Sequence, residues 1–245
     1  MMTLDQKIQR SCALLSSNEP PAGYYGCFSG GKDSVVIKEL ARIAGVKVVW
    51  HYNVTTIDPP ELVQFIKRFH PDVVWDRPKE NFFHLLPRRG FPLRNTRWCC
   101  KEYKESRTHV EDVLITGVRI EESPRRKNLY TTCVMETPGR PKQVLPIRLW
   151  SADDVWDFIK NLGLPYCSLY DEGFKRLGCI GCPMTNRKNK LREFERWPRY
   201  EHLWRKAFNE FWIKKNEREV AKGKVWEFGQ RFKNGDELFE WWKNY

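Results

Sequence analysis

The 245-residue chain lacks any run of eighteen consecutive apolar residues, which excludes a membrane-spanning helix of ordinary length. Its first segment, MMTLDQKIQRSCALLSSNEPP, has no apolar core of the kind a signal peptide carries, so a cytoplasmic protein is expected. Internal repeats and low-complexity tracts are absent. Acidic side chains are in short supply: 31 Asp and Glu stand against 43 Lys and Arg, and the formal net charge of +12 favours an anionic partner, nucleotide or nucleic acid. What is present suits a folded chain. Hydrophobic residues make up 41% and aromatic ones 14%, enough to bury a core and to set wholesale disorder aside. The length fits one α/β domain with an appendage, or two small domains. Eight cysteines in a cytoplasmic chain argue for metal or redox chemistry before structural disulfides.

Residues 4–16 have the pattern of a short amphipathic helix, and Gly23 to Phe28 that of a strand. Val35, Val36, Leu40 and Ile43 then fall at helical spacing up to Gly45, a C-terminal stop. Val46 to Tyr52 reads as a second strand, and Glu61 to His70 as a helix opened by Pro59 and Pro60. Asp72 to Trp75 makes a third strand; Val113 to Thr116 makes a fourth, after a helix carrying Cys99 and Cys100 near its start. Ser151 to Leu162 is a helix with Ser151 as N-cap and Asp154 in the capping-box position. This alternation predicts an α/β fold with a doubly wound parallel sheet. Beyond Pro183 the composition changes. Residues 186–233 hold fifteen Lys and Arg against seven Asp and Glu, with Trp197, Trp204, Trp212 and Trp226 interleaved. The expected organisation is a nucleotide-binding domain over 1–183 and a basic, helical C-terminal extension over 184–245. Charge and aromatic interleaving point the extension toward nucleic acid. The competing reading has the arginines paired on solvated faces and the tryptophans packing the extension.

Between the first strand and its helix stands Ser29-Gly30-Gly31-Lys32-Asp33-Ser34. A strand, a glycine loop and a helix N-terminus turn backbone N–H groups toward a phosphate, with Lys32 as a point charge and Ser29 and Ser34 as hydroxyl donors. The spacing is neither that of a Walker A loop nor that of a Rossmann fingerprint. At these residues the chain resembles the PP-loop ATP pyrophosphatases, of the adenine nucleotide alpha hydrolase-like fold. The resemblance implies ATP with Mg²⁺ at the loop and adenylation: a substrate oxygen takes AMP, pyrophosphate leaves, and a second nucleophile displaces AMP. Thr116-Gly117-Val118-Arg119-Ile120-Glu121-Glu122-Ser123-Pro124-Arg125 lies just past the fourth strand, on the sheet edge where open α/β folds bind ligands. It resembles the T-G-x-R-x-x-E-S segment of the phosphoadenosine phosphosulfate (PAPS) reductase family. The resemblance implies that Arg119 and Arg125 face phosphates and that Lys32, Asp33 and Arg119 serve catalysis, with Gly117 in the nucleotide-binding set.

Four cysteines form two pairs, Cys99-Cys100 and Cys179-Ile180-Gly181-Cys182. The second has the spacing of a metal-binding knuckle. Adjacent side chains on a helix diverge by about 100°, which suits a polynuclear cluster better than one zinc ion. Three readings stay open on the residues alone: a [4Fe–4S] cluster, zinc, or thiols without metal. Trp98 to Lys104, Leu149 to Trp156, and Leu169-Tyr170-Asp171-Glu172-Gly173-Phe174 followed by Gly178-Cys179 resemble the iron–sulfur sulfonucleotide reductases, with Lys104 where that family has a basic residue near its cluster. Cys12, Cys27, Cys133 and Cys167 have no partner spacing and read as core or surface thiols. Cys27, which precedes the loop, has the alternative reading of a persulfide carrier.

The chain departs from the reductases at two places: no cysteine follows Cys182 to act as their C-terminal nucleophile, and SGGKDS keeps the ATP-type motif. Both point to an ATP-using relative, as in the sulfurtransferases of DNA phosphorothioation. Three functions compete. The first is ATP-dependent adenylation and sulfur transfer to nucleic acid, with a sulfur-donor protein such as a cysteine desulfurase as partner and a homo-oligomeric state. The second is a sulfonucleotide reductase whose thiol comes from a partner. The third is a non-enzymatic basic iron–sulfur protein that binds nucleic acid.

Overall fold

A computed structural model describes residues 2–105 and 108–245. In chain order it contains α1 (Leu4–Ser17), β1 (Tyr24–Cys27), α2 (Lys32–Ala44), β2 (Val48–Asn53), α3 (Pro60–Phe69), β3 (Val74–Asp76), α4 (Phe82–Arg89) and a single turn α5 (Trp98–Cys100). There follow β4 (Val113–Ile115), α6 (Pro124–Leu129), β5 (Val134–Met135), β6 (Lys142–Val144), α7 (Ala152–Asn161), α8 (Arg187–Arg196), α9 (Pro198–Val220), α10 (Glu227–Arg231) and α11 (Gly235–Asn244). The chain divides into two compact units. One comprises Met1–Asn53, Pro60–Asp76 and Arg107–Leu177; the other comprises Val54–Pro59, Arg77–Ser106 and Gly178–Tyr245.

The first unit is built on a six-stranded sheet in the order β3-β2-β1-β4-β6-β5. Its neighbours run parallel except for β5, which lies antiparallel to β6 at the edge. That strand breaks the wholly parallel pattern read from the sequence. A tight turn in which the Arg140 N–H donates to Thr137 O at 3.0 Å, with Gly139 at φ 71°, sends the chain straight back. β1 sits inside the sheet between β2 and β4. Tyr24 and Phe28 are buried on one side of it, and a Cβ on Gly26 would lie 2.3 Å from the Trp50 ring, so only glycine fits there. α2 buries Val35, Val36 and Leu40 of the expected set together with Ile37 and Ala41, leaves Ile43 exposed, and stops at Gly45 in the left-handed region. The Ser151–Asp154 capping box forms, and a second one joins Thr3 and Gln6 ahead of α1.

The second unit is organised around tryptophan. Trp204 on α9 and Trp242 on α11 are almost fully buried and stack at 4.5 Å between centroids. Phe82, Phe194, Phe208 and Phe239 complete the cluster. Both indoles satisfy their N–H groups on backbone, Trp204 donating to Ile180 O at 3.3 Å and Trp242 to Pro92 O at 2.8 Å. A buried aromatic gains most when its polar edge is also paired, and these are. Trp197 is buried as well. The C-terminal segment is therefore helical as expected, and these tryptophans pack it.

His70, at the end of α3, is 7% exposed between the rings of Phe28 and Phe65, with Nδ1 3.3 Å from Lys38 Nζ. Burial first, then the Lys38 charge, lower its pKa to about 4, while Asp72 opposes. An unfolded histidine titrates near about 6.5, so between those values the unfolded chain binds more protons. Stability is thus complete above the unfolded value and declines as pH falls toward the folded one, by on the order of 2 kcal/mol. Denaturant midpoints measured across this window should fall with pH, and His70→Gln should remove that share of the slope.

Candidate functional site

The glycine loop closes β1 onto α2 in the first unit. Gly30 adopts φ 73°, and a Cβ there would lie 2.7 Å from Leu62 Cδ1 and 2.8 Å from Ile66 Cδ1. Both constraints demand glycine. Gly31 is the N-cap of α2, and the Ser34 hydroxyl donates to Gly31 O at 2.7 Å. The N–H of Lys32, in the first turn of the helix, donates to the Tyr170 hydroxyl at 2.9 Å. Ser29, Gly31, Lys32, Asp33, Ser34 and Gly117 line a cavity of about 170 Å³.

A chain of charge runs beneath that cavity. The Lys32 ammonium lies 3.0 Å from Asp33 Oδ2, and Arg119 Nε donates to Asp33 Oδ1 at 2.6 Å. Arg119 is 4% exposed and also reaches Glu121 Oε2 at 2.8 Å, which in turn accepts the Ala152 N–H at 2.7 Å at the start of α7. Gly117 makes this approach feasible, because a Cβ on it would sit 3.2 Å from Asp33. Arg119 thus holds the loop's carboxylate from below and does not line the cavity. Arg125 is exposed and also outside the lining; Arg126 and Arg176 are there instead, both paired with Glu122. Pro124 opens the short helix α6, and successive side chains on it turn by about 100°, so the neighbour of the anticipated residue faces the cavity. Cys27 lines the cavity too, but burial pushes its thiol up to about 12, so it stays protonated.

The second unit brings Cys99, Cys100, Cys179 and Cys182 to the wall of one cavity, with Thr55, Tyr103 and Lys104. Phe82 of α4, Pro92 and Trp204 of α9 also line it. α5 gives way to a π-helical turn over Lys101–Glu105, so the adjacent cysteines sit on an irregular helix. The Cys179 thiol donates to Thr55 Oγ1 at 3.4 Å, and the Ile180 N–H to Ile57 O at 2.8 Å. The clasping segment carries Thr56 at φ 66°, a left-handed β-branched residue whose hydroxyl accepts the Phe82 N–H at 2.8 Å. Such strain persists only where surroundings over-determine it. The Thr55-Thr56 pair escaped the sequence reading; its place just past a strand's carboxyl end was the available signal.

Among the described residues, no group of three or more His, Cys, Asp or Glu side chains is placed to hold a metal ion. The four thiols instead surround a space. The hydrogen bond from Cys99 lowers Cys100 to about 6, with Lys104 and Arg97 assisting, while Cys99 is raised. Burial raises Cys179 to about 11, and the negative charge of its ionised sulfur in turn raises Lys104. Tyr103 Oη is buried without a hydrogen-bond partner among the described residues. An all-sulfur donor set, a neighbouring ammonium and an unsatisfied hydroxyl fit an anionic thiolate-ligated cluster.

Residues 24–185 match the phosphoadenosine phosphosulfate reductase domain. The chain belongs to that family. Adenosine 5'-phosphosulfate reductase of Staphylococcus haemolyticus is 31% identical over 197 residues, covering 72% of this chain and 76% of that protein. An uncharacterized protein of Methanocaldococcus jannaschii is 31% identical over 212 residues, covering 80% of this chain and 49% of its own length. The chain spans about half the length of the two curated relatives it matches in that organism. The crystal structure of PAPS reductase from Candida auris in a phosphate complex aligns with a TM-score of 0.54 at 18% identity, covering 73% of this chain and 96% of that one. That likeness shows the PP-loop α/β fold. The named family members are enzymes. No helix among the described residues is long and apolar enough to cross a membrane.

Gly30→Ala should cost about 1–3 kcal/mol, from the left-handed backbone and overpacking against Leu62 and Ile66. A thermal melt of the variant checks this; an unchanged midpoint would mean the loop sits elsewhere.

Proposed function

We propose that the chain is a PP-loop enzyme that uses ATP to adenylate an acceptor for sulfur transfer, with nucleic acid as the acceptor. The observation that carries this is the cavity formed by the intact SGGKDS loop at the head of α2. ATP with Mg²⁺ would lie there, its β- and γ-phosphates toward Ser29 to Ser34. The acceptor oxygen attacks the α-phosphorus, the bond to the β-phosphate oxygen breaks, and pyrophosphate leaves. Lys32 and the loop N–H groups stabilise the charge that accumulates on that leaving group. Asp33, whose two oxygens are held by Arg119 and Lys32, is the carboxylate on the cavity wall that would face the metal of the nucleotide once Lys32 turns to the phosphates. Arg126 and Arg176 add positive charge on the cavity wall. The terminal sulfur of a persulfide on a donor such as a cysteine desulfurase then displaces AMP, which leaves with the acceptor oxygen, and a second thiol attacks the resulting disulfide to release the thiolated acceptor and leave the donor as a disulfide.

Cys99, Cys100, Cys179 and Cys182 would hold a [4Fe–4S] cluster, which when bound supplies an electrostatic or redox centre. Nucleic acid is assigned to the second unit's basic helices. Lys188, Arg199, Lys206 and Lys214 are exposed there, and the buried tryptophans leave charge as the basis of the assignment. A second reading, a sulfonucleotide reductase, is favoured by the name of the Staphylococcus haemolyticus relative.

Lys32→Ala should reduce pyrophosphate release from ATP by roughly 100-fold. Sulfite release from a sulfonucleotide, with no pyrophosphate from ATP, would select the reductase. Anaerobically purified protein should contain iron and sulfide and absorb broadly in the visible, and Cys182→Ala should lose that absorption. Stoichiometric zinc without iron would reject the cluster. Charge reversal at Lys188, Arg199, Lys206 and Lys214 together should weaken nucleic-acid binding and its salt dependence while ATP affinity holds. Unchanged binding would turn the acceptor search toward small molecules.

A further inference from the structure

The strand–loop–helix geometry offers the N–H groups at the first turn of α2 to an anion. At Lys32 that donor is committed to a side chain. The Tyr170 hydroxyl accepts it at 2.9 Å, and the same oxygen lies 3.4 Å from where a Cβ on Gly31 would stand. The Lys32 ammonium is 5.7 Å from the centroid of the Tyr170 ring. The ring belongs to a short 3₁₀ turn, Ser168–Tyr170, and packs edge-on against Trp156 of α7 at 5.1 Å and 88°. A phenol from a distant part of the sequence therefore takes up a first-turn N–H of the kind that helix N-termini offer to anions.

We propose that Tyr170 gates the phosphate seat: its hydroxyl holds the Lys32 N–H and must withdraw for a phosphate oxygen to take that place. The proposal rests on reading the loop as the phosphate site and deepens it. A neutral hydroxyl is a weaker acceptor than a phosphate oxygen, whose charge-assisted hydrogen bonds are about twice as strong, so the exchange runs toward the phosphate. A ligand without a phosphate at the loop gains nothing by displacing the phenol. The gate consequently favours polyphosphate-bearing ligands over nucleosides. It is also coupled to α7 at two points, through Tyr170 against Trp156 and through Glu121, which Arg119 holds against the Ala152 N–H. Withdrawal of Tyr170 changes the surroundings of the Trp156 indole.

The test is calorimetric titration of inorganic pyrophosphate into wild-type protein, Tyr170→Phe and Lys32→Ala, with adenosine as the control ligand. Phenylalanine keeps the ring and its packing and removes only the competing hydroxyl. Tyr170→Phe should bind pyrophosphate roughly 2- to 10-fold more tightly, the range set by one net hydrogen bond. Its affinity for adenosine should equal that of wild type. Pyrophosphate should also change tryptophan fluorescence in wild-type protein, and Trp156→Phe should lose that change. If wild type binds pyrophosphate in a Lys32-dependent way and Tyr170→Phe binds equally or more weakly, the gate is wrong and the loop assignment survives. If wild type binds neither pyrophosphate nor ATP, the loop is not a phosphate seat and both fall.

Discussion

The contact on which the glycine-loop cavity depends is the ion pair between Arg119 and Asp33, closed at 2.6 Å by a guanidinium that is 4% exposed. A charge buried this far survives only with partners, and removing one of a buried pair typically costs about 3–5 kcal/mol. Asp33 is in the first turn of α2, Arg119 follows β4, and Glu121 carries the link onward to the N-terminus of α7. One guanidinium thereby joins the loop after β1, the exit of β4 and the helix against which Tyr170 packs. The absence of a side chain at Gly117 permits that closure. Sequence separation between Asp33 and Arg119 is large, but the parallel pairing of β1 with β4 brings them together past the sheet's carboxyl ends.

The thiol cavity follows a different rule. Its cysteines and their immediate neighbours come from short irregular segments, the stretch carrying Thr55 and Ile57, the α-to-π turn around Cys99–Lys104 and the Cys179–Pro183 loop, while Phe82 of α4, Pro92 and Trp204 of α9 complete the lining. Backbone irregularity at each is stabilised by specific partners, as where the Glu193 carboxylate accepts the Gly181 N–H at 2.8 Å. Burial raises that carboxyl to about 7. Gly181 itself adopts φ 74° with Phe194 and Trp204 pressed against it, so the aromatic cluster of the second unit shapes the loop between the two cysteines. Packing and the placement of the two cysteines there are one problem.

Much of this was legible in the residues. The β1–α2–β2–α3 run, the Gly45 stop and the Ser151 capping box each depend on local patterns, and each formed where those patterns lie. The SGGKDS loop was legible for the same reason. Other features were not. α4 carries Pro87 in its interior, which conceals a helix from a local reading. β5 and β6 are two and three residues long, too short to show a period. The role of Tyr170 depends on a contact across 138 positions, and no local rule reports it. Arg125 came with the Thr116–Arg125 segment, and that Arg126 turns to the cavity instead depends on helix phase within a six-residue element, which cannot be read without its starting point. The tryptophans of the basic segment were open to two readings, and only burial separates a packing indole from one presented to a base.

The central claim is cleavage of ATP between its α- and β-phosphates, and the identity of the products tests it most directly. Anaerobic protein with intact metal content, incubated with magnesium, nucleic acid, a sulfide source and ATP labelled at the α-phosphate, should yield labelled AMP, free or still attached to the acceptor, together with pyrophosphate. Label recovered as ADP with inorganic phosphate, or left wholly in ATP while a sulfonucleotide releases sulfite, would contradict the account.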